Sequence, residues 1–317
     1  MNERDEARAT DVADQMADAT VGWVGRARSA LQPMRRAAPF VGIALLVAAV
    51  VYVVRADGFR EAFAAMRQAS PLTVLALVGS MLASVFLTGT VFWLLTKRFG
   101  RVPFVEMQAL MASTTLANYL PLRPGLFGRV AYHKTRHGIR ARDALRTVVE
   151  AIGLSVACLV VALPAVAGGT RLGLRADVAL ALPLVVGLAC CAFPAARLWA
   201  LAWSLRYVET LLTAVRYHLA FQLIGVPVAV ETSVAIACVS MAATLVPLVS
   251  NGIGLREWAI GLLAPILTGY ALEQGIVAEL VQRAFEIAVV IPTGLVGAAY
   301  LLKSRGAPTS GDDAAAA

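Results

Sequence analysis

Two short interruptions in an otherwise apolar sequence limit most sharply what this chain can fold into. The first is Asn118-Tyr-Leu-Pro121-Leu-Arg123-Pro-Gly125-Leu-Phe-Gly128-Arg129. The second, about half a chain later, is Pro247-Leu-Val-Ser-Asn251-Gly252-Ile-Gly254-Leu-Arg256-Glu257. Each reads as an apolar run, a proline, a glycine-rich break and an arginine opening the next helix. Backbone removed from water must pair its own polar groups, so a broken helix survives in a bilayer only where protein or a water-filled cavity surrounds it. Breaks at matching positions in two halves of a chain mark a transport site near the middle of the membrane.

The surrounding composition fits a bilayer. The 317 residues are 59% hydrophobic and 15% charged, with a mean hydropathy of +0.73. A soluble domain carries about a quarter charged residues. Apolar runs near or above the roughly 20 residues that cross a bilayer recur along most of the sequence. The net charge of +8 is gathered at the ends of those runs. It therefore reads as positive-inside topology and contact with anionic headgroups rather than as the continuous basic face of a nucleic-acid binder. Cys158, Cys190, Cys191 and Cys238 lie within apolar runs, without metal-ligand spacing, and read as buried small hydrophobes.

The polar segment 1–37 is too long a lead for a cleavable signal and is expected to be a cytosolic extension. The membrane domain covers 38–303, and 304–317 is a small-residue tail. Spans are expected at about 40–54, 72–95, 147–166, 178–193, 212–224, 230–247 and 276–302. Residues 195–216 look amphipathic and interfacial. Segment 102–122 carries Glu106, Gln108 and Asn118, with basic residues on both flanks, which predicts a re-entrant hairpin from the cytosolic side. Trp258 to Tyr270 is too short to cross and should pair with the run before it. The fold class is thus an all-α polytopic membrane protein with about 7–8 membrane helices and two broken or re-entrant hairpins in an internal repeat. Both termini are expected in the cytosol, at the inner (cytoplasmic) membrane.

Helix starts after glycine breaks expose unpaired N–H groups that favour an anion. From the first break the candidate binding residues are Asn118, Pro121, Arg123, Gly125 and Arg129. The second contributes Asn251, Gly252, Gly254, Arg256 and Glu257. Arg129 and Arg256 are placed to hold a phosphate through paired hydrogen bonds, and both are expected to face one cavity. Two further faces, Arg146 with Glu150 and Arg283 with Glu286, bring opposite charges together at helical spacing. His133 and His137, four apart among Lys134 and Arg136 with no third ligand in view, read as a solvated basic face rather than a zinc site. No cofactor, nucleotide or hydrolase fingerprint is present.

The residues Pro247, Gly252, Gly254, Arg256 and Glu257 resemble the transmembrane-domain family of lysylphosphatidylglycerol synthases and their stand-alone relatives. Asn118, Pro121, Gly125 and Arg129 match its earlier motif, and Arg283 its late arginine; the likeness covers roughly 38–303. The resemblance implies a polytopic helical protein with re-entrant hairpins, whose membrane part moves aminoacylated phosphatidylglycerol between leaflets. A separate soluble domain, which is not seen here, makes that lipid. Leu126 stands where the family commonly has Glu, and Ala151 follows Glu150 where it often has Arg with a nearby Asp. The expected substrate is therefore an anionic or zwitterionic phospholipid or a polyprenyl-phosphate lipid, moved by a flippase-like protein, with a membrane-embedded transferase drawing on Glu257, Glu150 and Glu286 as a further reading. The alternative is a non-transporting subunit that docks a lipid-modifying enzyme or glycosyltransferase. Homo-oligomers are compatible with either reading, and nucleic acid is not an expected partner.

Overall fold

Helix follows helix through the described part of the chain. The computed structural model describes residues 40–56, 58–120, 124–245 and 250–304. The segment 1–37, Pro121, Arg123, Pro247 and the tail beyond Ser304 lie outside the described residues. The elements are α1 (Phe40–Arg55), α2 (Gly58–Arg67), α3 (Pro71–Thr96), α4 (Phe104–Ala117), α5 (Pro124–His137), α6 (Ala141–Arg171), α7 (Ala176–Cys190), α8 (Arg197–Leu223), α9 (Val230–Leu245), α10 (Leu255–Thr268) and α11 (Leu272–Ser304). Among the described residues α3, α6 and α11 are long and apolar enough to cross a membrane. Large apolar side chains such as Phe86, Val160, Leu182, Ile266 and Val296 stand on the outside, while Arg129, Arg256, Glu257, Glu279 and Arg283 are buried. A surface this apolar around an interior this charged belongs in lipid. The protein is membrane-embedded.

Start signals are conventional where the chain enters from water. Ser70 accepts the amide hydrogen of Leu72 at 3.2 Å, and Pro71 opens α3, satisfying one orphan donor and wasting none. α8 departs from the sequence expectation. It is one 27-residue helix rather than an interfacial segment followed by a short span, and it packs against α3, α6, α7, α9 and α11. Tyr207, Tyr217 and Phe221 are wholly buried on it. Arg206, Glu209 and Arg216 are held inside because each finds a partner. Arg206 reaches Glu209 at 2.5 Å and Ser155 at 2.8 Å, and Arg216 donates to Ser84 Oγ at 2.5 Å. Hydropathy registers the charges and not the partners.

The two breaks build two helical hairpins of matched size. α4, α5 and α10 have 14 residues each and α9 has 16, about 21–24 Å at helical rise and short of a bilayer core of about 30 Å. Both hairpins are antiparallel. In the first, Gly125 packs against Thr114 at the tip, while Tyr132 and His137 reach Glu106 at the base, at 2.5 and 3.0 Å. In the second, Gly252 lies near Ala243 at the tip, and Tyr270 donates to the Pro227 carbonyl at the base, at 3.2 Å. Each sits in its own apolar cluster. Met107 and Leu110 of the first pack with Val91 and Leu95, and Val234 and Ile260 of the second pack with Tyr217 and Phe221.

Candidate functional site

The first hairpin's turn is built by Asn118 and Gly125. Asn118 Oδ1 accepts the Leu126 amide hydrogen at 3.1 Å, capping the start of α5. A Cβ on Gly125 would fall 2.0 Å from the Thr114 carbonyl, so only glycine lets α5 start against α4. The second turn uses left-handed backbone at Asn251 (φ 48°), Gly252 (φ 67°) and Gly254 (φ 82°). A Cβ on Gly254 would also meet the Gly42 carbonyl of α1 at 2.4 Å. Asn118, Gly125, Gly252 and Gly254 therefore shape the turns, and their motif is first of all architectural.

Both tips arrive at one carboxylate. Tyr119 donates to Glu286 Oε1 at 2.6 Å, and Asn251 Nδ2 donates to the same oxygen at 3.2 Å. The other oxygen takes Arg256 Nη1 at 3.0 Å. Glu286 lies within one turn of the midpoint of α11. Arg256 also pairs with Glu279 at 2.9 Å through Nη2, which donates to Tyr217 Oη at 3.2 Å. Tyr217 in turn donates to Glu279, with Ser240 Oγ 2.6 Å away. Arg283 sits against Glu257 at 2.5 Å and Glu279 at 3.6 Å. The side chains of Arg256, Glu257, Glu279 and Arg283 are at most 5% exposed, whereas Glu286 keeps 23%. Low dielectric makes such pairs strong, and the loss of either partner costly.

The exposed part of Glu286 faces a cavity of about 150 Å³. Its polar lining comes from Ser84 and Thr88 of α3, Thr115 of α4, Glu209 and Arg216 of α8, and Glu286. Ser84 and Glu209 stand at the midpoints of their helices, so the cavity lies at mid-depth of the bundle. Thr88 donates to Glu209 at 2.8 Å, and Thr213 accepts from Arg216 Nη2 at 2.8 Å. Arg216 Nε is buried with no hydrogen-bond partner.

The structure gathers part of the sequence-predicted set. Asn251, Arg256, Glu257, Arg283 and Glu286 come together, but the partners are exchanged. Arg283 pairs with Glu257 rather than Glu286, and Glu286 pairs with Arg256. Arg256 is thus engaged by two carboxylates instead of standing ready for a phosphate. Arg129 is elsewhere. It is buried on α5 with its guanidinium 4.2 Å from the Phe92 ring centre, Nε and Nη1 lack hydrogen-bond partners, and no ion pair or hydrogen bond joins it to the Arg256 cluster among the described residues. Glu150 bridges Arg98 and the exposed Arg146 outside the cluster. The expected solvated face at His133 and His137 is corrected too. His133 is buried, and His137 meets Glu106, 31 residues earlier in sequence, because the hairpin folds α5 back on α4. Cys190 and Cys191 are only half-buried.

Sequence reasoning missed Tyr119, Glu209, Arg216, Tyr217 and Glu279. Arg206, Glu209 and Arg216 do recur every three to seven residues in an apolar setting, and Glu279 precedes Arg283 by one helical turn. A face-by-face reading would have found them. Comparisons with protein families, with curated proteins and with solved structures find no match for this chain.

Proposed function

We propose that the protein is a lipid translocase of the cytoplasmic membrane, carrying a phosphate-bearing lipid between leaflets through the mid-depth cavity. The observation that supports this reading most is the meeting of two antiparallel hairpin tips on Glu286 beside a polar void. Half-length helices converging at the midplane are the arrangement in which transporters hold polar cargo. In the proposed topology α1, α3, α6, α7, α8 and α11 cross the bilayer. The α4–α5 hairpin dips in from the cytosol, where Lys97, Arg98, Arg101, Lys134, Arg136 and Arg140 gather at its base. The α9–α10 hairpin dips in from the opposite face, so the halves form an inverted repeat. The headgroup enters the cavity beside Arg216 and Glu286, and the Arg256 and Arg283 network holds the hairpins in register.

The test is reconstitution into liposomes with acyl-labelled fluorescent lipids and a leaflet-accessibility assay. The purified protein should speed exchange, and Glu286→Ala or Arg216→Ala should slow it at least about tenfold, the equivalent of roughly 1.4 kcal/mol at the barrier. Exchange that survives both substitutions in a folded protein would place the activity outside the cavity.

A further inference from the structure

We infer that the cavity takes the headgroup of a zwitterionic phospholipid while a neighbouring groove takes its acyl chain, an inference that rests on the translocase reading and names its substrate class. The groove, about 580 Å³, runs between α3, α4 and α11. It joins the cavity at Val85, which lines both, and the lining of the two voids follows on along α4 (Thr115, then Ala112) and α11 (Val290, then Pro292). Leu82, Phe86, Val105 and Val296 form its walls and are exposed on the outer face. A polar void at mid-depth opening into an apolar channel toward the acyl chains has the shape of an amphiphile.

Charge selects the headgroup. The cavity and the cluster beside it gather Arg206, Arg216, Arg256 and Arg283 with Glu209, Glu257, Glu279 and Glu286, four charges of each sign, so the site is balanced before any lipid arrives. An anionic headgroup or a polyprenyl phosphate would bring an uncompensated charge into a low-dielectric site, which is strongly disfavoured without a co-bound cation. A headgroup carrying both phosphate and ammonium leaves the balance intact. The lining is bipolar in the matching sense. Glu209 and Arg216 lie on one face of α8 two turns apart, about 10 Å along the axis. Arg216 and Ser84 receive the phosphate, and Glu209 with Glu286 receives the ammonium.

The experiment uses the full chain in vesicles containing one of three photoreactive probes: phosphatidylethanolamine or phosphatidylglycerol with a diazirine in one acyl chain, or a diazirine-bearing polyprenyl phosphate. Phosphatidylethanolamine should label peptides containing Leu82 and Phe86 or Val296 and Tyr300, at least about tenfold above the other two. Glu209→Gln, which leaves the network one positive charge in excess, should shift the preference toward phosphatidylglycerol. Val85→Trp, which fills the junction without touching the charges, should remove the selective labelling. Equal labelling by all three probes, preference for an anionic one, or labelling that survives Val85→Trp would overturn the inference. Leaflet exchange is read on the same vesicles. Movement of phosphatidylglycerol alone would spare the translocase reading and overturn this inference. Selective labelling without movement would do the reverse, upholding the site while the translocase reading falls.

Discussion

Arg256 illustrates what a buried guanidinium does when it is ringed by acceptors. Its two terminal nitrogens reach Glu279, Glu286 and Tyr217 at 2.9 to 3.2 Å, so truncation leaves Glu286 without its cation and Glu279 with only Arg283 at 3.6 Å. Arg256→Ala is expected to destabilise the protein by about 3–5 kcal/mol, measured by thermal unfolding in detergent. Adding Glu286→Ala should recover part of that loss, because residues in one network deviate from additivity by about 0.5–3 kcal/mol. A double-variant loss equal to the sum of the two single losses would show that the Arg256–Glu286 pair contributes nothing. At the first turn the argument is steric. Gly125→Ala sets a methyl 2.0 Å from the Thr114 carbonyl and should cost about 1–3 kcal/mol. Gly153→Ala, which meets nothing within 4 Å, should be neutral or slightly stabilising because alanine favours the helix. The comparison of the two melting temperatures decides whether the shape of the turn, rather than glycine content, matters.

The helix breaks were legible because their signals are local, although the first hairpin is made of α4 and α5 rather than of residues 102–122 alone. Proline, glycine and a switch from apolar to basic residues mark the turn at Gly125 and the helix that follows. Contacts across the fold were not legible. Nothing near Glu286 in sequence announces that Tyr119, 167 residues away, will donate to it, and i,i+3 spacing alone suggested Arg283 as its partner instead. α8 was misjudged because Arg206, Glu209 and Arg216 lower its hydropathy, while Arg206 and Glu209 pair with each other and hydroxyls of α3 and α6 complete the hydrogen bonding. At this scale the proposed inverted repeat makes a topological prediction. Cysteines at Arg101 and Lys134, at the base of the first hairpin, should react with a membrane-impermeant maleimide from the cytosolic side. Cysteines at Ala229 and Ala271, at the base of the second, should react from the other side. Labelling of all four from one face would exclude opposed hairpins.

Across the whole molecule, Arg129 and Arg256 occupy different surroundings, one over Phe92 beside the first apolar cluster and the other inside the Glu279–Glu286 network. Their truncations should therefore add within about 0.5 kcal/mol when stability is measured in single and double variants. A large interaction energy would mean that the halves communicate through these cations after all. Besides the packing of α4 on α11 and of α3 on α8, the hairpin tips of the two halves meet at one atom. One carboxylate oxygen serves both tips, through Tyr119 on one side and Asn251 on the other. Such a shared acceptor works like a double door with a single bolt, since either leaf can be released while the other stays fastened. In the proposed topology Tyr119→Phe loosens only the cytosolic leaf, and Asn251→Leu only the outer one, which Arg256 still ties to the other Glu286 oxygen. A cysteine at Thr88 on the cavity wall should accordingly become more accessible from the cytosol in the first variant and from the outside in the second. Equal gains from both faces in either variant would mean that the leaves swing together.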